Sequence, residues 1–193
     1  MSAWIEMVPV EKATGFLKEM YDKVRTPHGT VDNVMRAHSL RPHTMDGHVT
    51  LYRSVLHNPD NVLPFWFLEV VASYTSIVNN CDYSFTHHFE NVRKLLKDQP
   101  RSDAILACLR VGQPEECFDG KELALLRYTA KLTAHVGAME ESDMAELREA
   151  GCDDGEVLEV NQVCAYFNYS NRLLNGLGVT TQGDMIGYYK GED

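Results

Sequence analysis

Strand patterning is almost missing from this chain. Alternating Val, Ile, Thr and aromatic residues hardly occur, which argues against a sheet-built core. No apolar run approaches the roughly 20 residues that a membrane-crossing helix requires, so a membrane span is excluded. Basic residues are scarce, 18 Lys and Arg against 28 Asp and Glu, and they are scattered without a stripe. The net charge of −10 repels phosphate backbones, and nucleic acid is not an expected partner. The five cysteines, Cys81, Cys108, Cys117, Cys152 and Cys164, are odd in number and lack paired spacings, so no disulfide framework is expected. The opening residues Met-Ser-Ala-Trp-Ile-Glu-Met carry neither the basic nor the apolar segment of a secretory signal, and cytoplasm is the expected compartment. Linkers, low-complexity tracts and short-period repeats are missing too, so one domain over residues 1–193 is expected.

What the chain does have is helical periodicity. Apolar residues recur three and four positions apart through most of its length, and the fold class read from this is all-α. A first helix is predicted over Lys12 to Arg25, with Phe16, Leu17, Met20, Tyr21 and Val24 on one face and Pro27-His28-Gly29 as its stop. A short helical turn follows around Val31 to Ser39, then a helix from Pro42 to Leu56 closed by Asn58-Pro59-Asp60. Pro64 to Val78 is apolar on several faces and is therefore placed centrally. Asn79-Asn80 separates it from a helix over Cys81 to Lys97. Further helices are predicted over Ser102 to Leu109, Gly120 to Ala134, Glu141 to Ala150 and Asp154 to Leu174. Ser142 lacks a capping-box acid three residues on, whereas Asp153-Asp154 suits a helix start and Gly151 a helix end. Beyond Gly178 the chain reads as irregular.

Chemistry concentrates between Glu69 and His88. The stretch places an acid, a thiol and two imidazoles on consecutive helices that fold back at Asn79-Asn80. At the start of its helix, Cys81 meets unpaired amides and the positive dipole end, which favour a thiolate; packed among apolar residues, it is instead a small hydrophobe. Ser84 and His88 are stacked neighbours on one stripe with Cys81, and His88 alone also fits a structural histidine. Glu69 sits within Phe65-Trp66-Phe67-Leu68 and Val70-Val71-Ala72, where an acid is costly to bury without a partner. Paired with His88 it makes an acid–base couple. His87 and His88 project about 100° apart on a helix, and no His-x-x-x-His or Glu-x-x-His spacing accompanies them, so no metal is assigned.

Glu69, an apolar helix, then Cys81-x-x-Ser84-x-x-x-His88 resembles the signature of the alkylhydroperoxidase D/carboxymuconolactone decarboxylase superfamily. Asn33 to Ser39 before Pro42, Leu123 to Leu132, and the run Tyr166-Phe167-Asn168-Tyr169-x-Asn171-Arg172-Leu173 resemble further segments of its peroxidase-related branch. The resemblance implies a multi-helix bundle, a homo-oligomer and a small-molecule substrate, with neither a cofactor nor a metal. It also implies catalytic roles for Cys81, His88, Glu69 and Ser84, with Tyr83 and His87 at the substrate. Ser84 replaces the second cysteine of the family's pair, so a vicinal disulfide is impossible. Three readings follow. The first is a peroxidase-related oxidoreductase with Cys81 as nucleophile, His88 as base, Glu69 tuning it, and an external thiol or Cys164 resolving the sulfenic acid. The second is a cofactor-free lyase, decarboxylase or isomerase that moves a proton on a small organic acid through Glu69 and His88. The third is a helical protein that keeps the fold without the chemistry.

Overall fold

The computed structural model describes residues 2–187. Among them every regular element is helical: α1 (Gly15–Lys23), α2 (Asn33–Arg36), α3 (Pro42–Leu56), α4 (Phe65–Val78), α5 (Asp82–Leu96), α6 (Gln99–Arg110), α7 (Gly120–Ala134), α8 (Glu141–Glu149) and α9 (Asp154–Leu177), with 3-10 turns at Val10–Lys12, Pro114–Glu116 and Val136–Ala138. None of these helices is long and apolar enough to cross a membrane.

Helix α4 is the axis of the bundle. Ten consecutive residues, Phe67 to Ser76, are buried on it, because α5, α7 and α9 surround it. Its hydroxyls survive burial by bonding back along the helix: Ser73 donates to the Glu69 carbonyl (2.8 Å), Thr75 to Val71 (2.9 Å) and Ser76 to Ala72 (2.8 Å). The Glu69 carboxyl has no such local outlet and must find partners on another helix.

Those partners are delivered by the reversal after Val78. Asn80 adopts a left-handed conformation (φ 51°), which asparagine tolerates better than most residues. The Cys81 amide then donates to the Ser76 carbonyl (2.8 Å) and the Asn80 amide to Ile77 (3.0 Å), the reciprocal pair of a Schellman ending. The turn returns α5 directly along α4.

Several helix limits differ from the sequence reading. Helix α1 begins at Gly15, whose φ of +53° breaks continuity with the Val10–Lys12 turn, and Phe16 is left half exposed instead of sharing the buried face of Met20 and Tyr21. Helix α6 starts at Gln99, because the Asp98 side chain accepts from the Arg101 amide (3.0 Å). Helix α8 does carry a capping box: its cap is Glu140, two residues before Ser142, and the Glu140 amide donates to Asp143 Oδ2 (2.8 Å). Helix α9 runs one turn past Leu174 to Gly178, a left-handed residue (φ 58°) where a side-chain carbon would come within 2.2 Å of the Trp4 indole. Only glycine fits there.

Candidate active site

The α4–α5 hairpin buries Glu69 completely and brings His88 to it. His88 Nδ1 lies 2.7 Å from Glu69 Oε2, and Asn91, one turn along α5, donates from Nδ2 to Oε1 (3.1 Å). Two donors on one face of α5 thus compensate a carboxyl that has no solvent. With its hydrogen on Nδ1, His88 is locked in orientation by Glu69, and its other nitrogen, Nε2, is the basic one. Phe167 sets its ring edge-on to the imidazole, with centroids 4.5 Å apart, and stiffens it further.

His88 opens onto a pocket shared with Ser84, Tyr83, His87, Tyr52 and Tyr166, among others. The cavity is small, about 60 Å³ counted as room for the centres of water-sized molecules, which corresponds to roughly four to six waters. A substrate of few heavy atoms fits. Ser84 faces this cavity, and its hydroxyl lies 3.0 Å from Ser76 Oγ, which can accept from it while donating to Ala72.

Cys81 is elsewhere. It caps α5, is 1% exposed, does not itself line the pocket, and packs with Ala3, Ala37, Tyr83, Leu174 and Val179, of which Tyr83 and Leu174 also form part of the pocket wall. Burial pushes its thiol up to about 11, and the neighbouring Asp82 charge adds to this, outweighing the Ser84 and Tyr83 amides that pull the other way. Of the two sequence readings of Cys81, its burial favours the packed thiol, because loss of solvent exceeds the favourable dipole. Cys164 does not help it either, since that thiol sits in the main core against Thr133 (3.3 Å).

Tyr83 and His87 face the pocket as expected, but both are tied to a residue the sequence reading did not single out. The Tyr83 hydroxyl donates to Asp184 (2.5 Å) and accepts from the Val34 amide (3.0 Å), while His87 Nε2 lies 3.5 Å from the same carboxylate. Asn33 secures this strap, its amide donating to Asp184 (3.0 Å) and its side chain to the Thr180 and Gln182 carbonyls (2.9 and 3.0 Å). Residues 179–187 are irregular, as read from sequence, and Gly187 among them lines the site; the rest of the expected irregular tail lies outside the described residues. His48 and Tyr166, which also line the pocket, were not singled out either. They lie 118 positions apart, so no local spacing announces them.

A helical bundle with a carboxyl–imidazole pair facing a small pocket defines a protein of the alkylhydroperoxidase D-like fold. The chain superposes on the alkylhydroperoxidase core of an uncharacterised peroxidase-related protein from Ralstonia eutropha JMP134, with a TM-score of 0.82 at 20% identity over 98% of both chains. A second peroxidase-related protein, from Silicibacter sp. TM1040, gives a TM-score of 0.79 at 20% identity, covering 95% of this chain and 93% of the other. The debrominase Bmp8 gives a TM-score of 0.73 at 12% identity over 95% and 92% of the two chains. A cysteine-to-alanine variant of Bmp8 has been crystallised with 2,3,4-tribromopyrrole. No protein-family model and no curated protein sequence matches this chain at a significant level.

Proposed function

We propose that the protein is a general acid–base enzyme that moves a proton on a small organic molecule, with His88 as the base and Glu69 as the group that orients it and balances its charge. One observation carries this reading: the 2.7 Å contact between His88 and the buried Glu69 opens onto a pocket that Ser84 lines and Cys81 does not. Reaction classes that need only such a pair, isomerisation and decarboxylation, or lyase chemistry, fit it. The test is proton exchange in D2O, followed by ¹H NMR over a panel of small ketones, lactones and organic acids. Exchange that His88→Gln lowers by about a hundredfold or more supports the reading. Exchange unaffected by that substitution, or none above buffer across the panel, sinks it.

A second reading, single-cysteine reduction of hydroperoxides, is favoured by the peroxidase-related structural neighbours. It requires the Cys81 thiolate to take one peroxide oxygen, releasing an alcohol, and an external thiol to reduce the sulfenic acid. With its thiol at about 11, only about a thousandth of Cys81 is thiolate at pH 8. Iodoacetamide at that pH is expected to label the half-exposed Cys117 first and to leave native Cys81 unmodified, as read by peptide mass spectrometry. Selective labelling or oxidation of Cys81 would reverse the order of the two readings.

A further inference from the structure

The pocket that His88 lines holds a second pair, which the proton-transfer reading leaves unused. The Tyr166 hydroxyl lies 3.0 Å from His48 Nε2, and both residues line the cavity. His48 is 3% exposed, and its Nδ1 is buried without a hydrogen-bond partner. Its ring lies 4.8 Å from that of His38 at a tilt of 46°, and His38 Nδ1 is engaged with Thr44 (2.8 Å). The rings of Tyr52 and Phe167 bridge the two ends of the site. Tyr52 stands 6.2 Å from His88 and 5.6 Å from Tyr166, and Phe167 stands 4.5 and 5.0 Å from the same two rings. A base and a phenol thus flank one narrow space.

We propose that Tyr166 is the acid that serves a substrate carbonyl oxygen while His88 takes a proton from the adjacent carbon, that His48 is the positioning residue for the phenol, and that the substrate is a small uncharged carbonyl compound. This deepens the proton-transfer reading and rests on it. His48 suits the task because it stays neutral: burial and the neighbouring His38 hold its imidazole down to about 3. In the tautomer with its hydrogen on Nε2, it donates to the phenol oxygen, so the phenol hydrogen is not spent on His48.

The step balances within these groups. The His88 Nε2 lone pair takes hydrogen from the carbon next to the carbonyl, and the C–H electrons become a C=C bond. The carbonyl π pair moves to oxygen, which accepts the Tyr166 proton, and the phenolate left behind is held by the His48 N–H. Returning the carbon proton from His88 and the enol proton to Tyr166 regenerates both residues and yields an exchanged or isomerised ketone.

The lining also decides charge. Among the described residues it holds Asp32 and neither Lys nor Arg, and the Asp184 carboxylate is bonded to Tyr83, another lining residue. A carboxylate substrate would meet these acids with no lysine or arginine among the described lining to hold it. Butan-2-one is therefore a better probe of this inference than 2-oxobutanoate.

The experiment is deuterium exchange into both probes by the full-length protein, measured by ¹H NMR against concentration. Expected are faster exchange on butan-2-one, a fall in kcat of about a hundredfold in Tyr166→Phe, and at least a tenfold fall in His48→Leu with KM little moved. His48→Gln, which keeps a donor towards the phenol, is expected to stay within about threefold of wild type. That contrast also serves if Tyr166→Phe fails to fold, as judged by circular dichroism. Exchange that persists in Tyr166→Phe and His48→Leu but vanishes in His88→Gln overturns this inference and leaves the Glu69–His88 reading standing. Faster exchange on 2-oxobutanoate overturns the substrate class. Wild-type protein inert on both probes overturns the inference, and the wider panel then decides the reading beneath it.

Discussion

Glu69→Gln is expected to slow turnover by about a hundred- to a thousandfold while leaving KM nearly unchanged. The asymmetry follows from position: Glu69 touches His88 but does not line the pocket, so it does not hold substrate. In the proposed reaction it supplies a negative partner when His88 becomes an imidazolium on taking a proton. A glutamine keeps the shape and loses that charge; with its oxygen on Asn91 Nδ2 and its amide on His88 Nδ1, it draws the imidazole hydrogen to Nε2, the nitrogen that the reaction needs free. Steady-state kinetics on an exchanging substrate gives the answer directly. A raised KM at constant kcat would show that Glu69 shapes the pocket and does not assist proton transfer. Urea unfolding of the same variant separates loss of chemistry from loss of fold, with a change of about 1 kcal/mol expected from exchanging the charged acceptor for a neutral one.

Phe67→Ala is expected to produce the largest loss of stability among single truncations on α4. The ring is fully buried, edge-on to Trp66 (5.8 Å) and Phe118 (6.3 Å), and α4 is enclosed by α5, α7 and α9. The surrounding helices cannot collapse into the space independently, so the cost is about 3–5 kcal/mol. For a chain of this size that lowers the melting temperature by roughly 10 °C, which differential scanning calorimetry reads. Phe67 and Glu69 are two residues apart and project to opposite sides of the helix. Activity per folded molecule at low temperature is therefore expected to survive; its loss would mean that core packing sets the His88 geometry more tightly than the carboxyl contact does.

The parts of this molecule that were legible in its sequence are those written in local spacing. Pro42–Leu56 and Gly120–Ala134 are bounded in the structure where the apolar period and flanking Pro, Asn and Gly place them. Glu69 was legible because an acid embedded in Phe, Leu and Val demands a partner, and His88 falls at the right distance beyond the reversal to be that partner. Cys81 stayed open between thiolate and packed thiol for a reason spacing cannot settle. Its helix-start position is visible in the sequence, but its depth depends on Ala3, Ala37 and Val179, segments remote in the chain, and depth decides the thiol's ionisation. His48, Tyr166 and Asp184 belong to the site only through tertiary contact, so each looks locally like an ordinary helix or loop residue. The Tyr166-Phe167 run was conspicuous as part of a resemblance, without any sign of which way its hydroxyl would face.

The Asp184 strap also fixes when the site can exist. The chain emerges from the ribosome in order, and Glu69, His88 and Asn91 are all made well before Asp184. The wall held by Tyr83, Asn33 and His87 waits for a carboxylate 101 positions beyond Tyr83. A nascent bundle can thus carry His88 and its buried carboxyl partner with an unsealed cavity, and the space in front of them becomes sheltered from water only once Asp184 has been added.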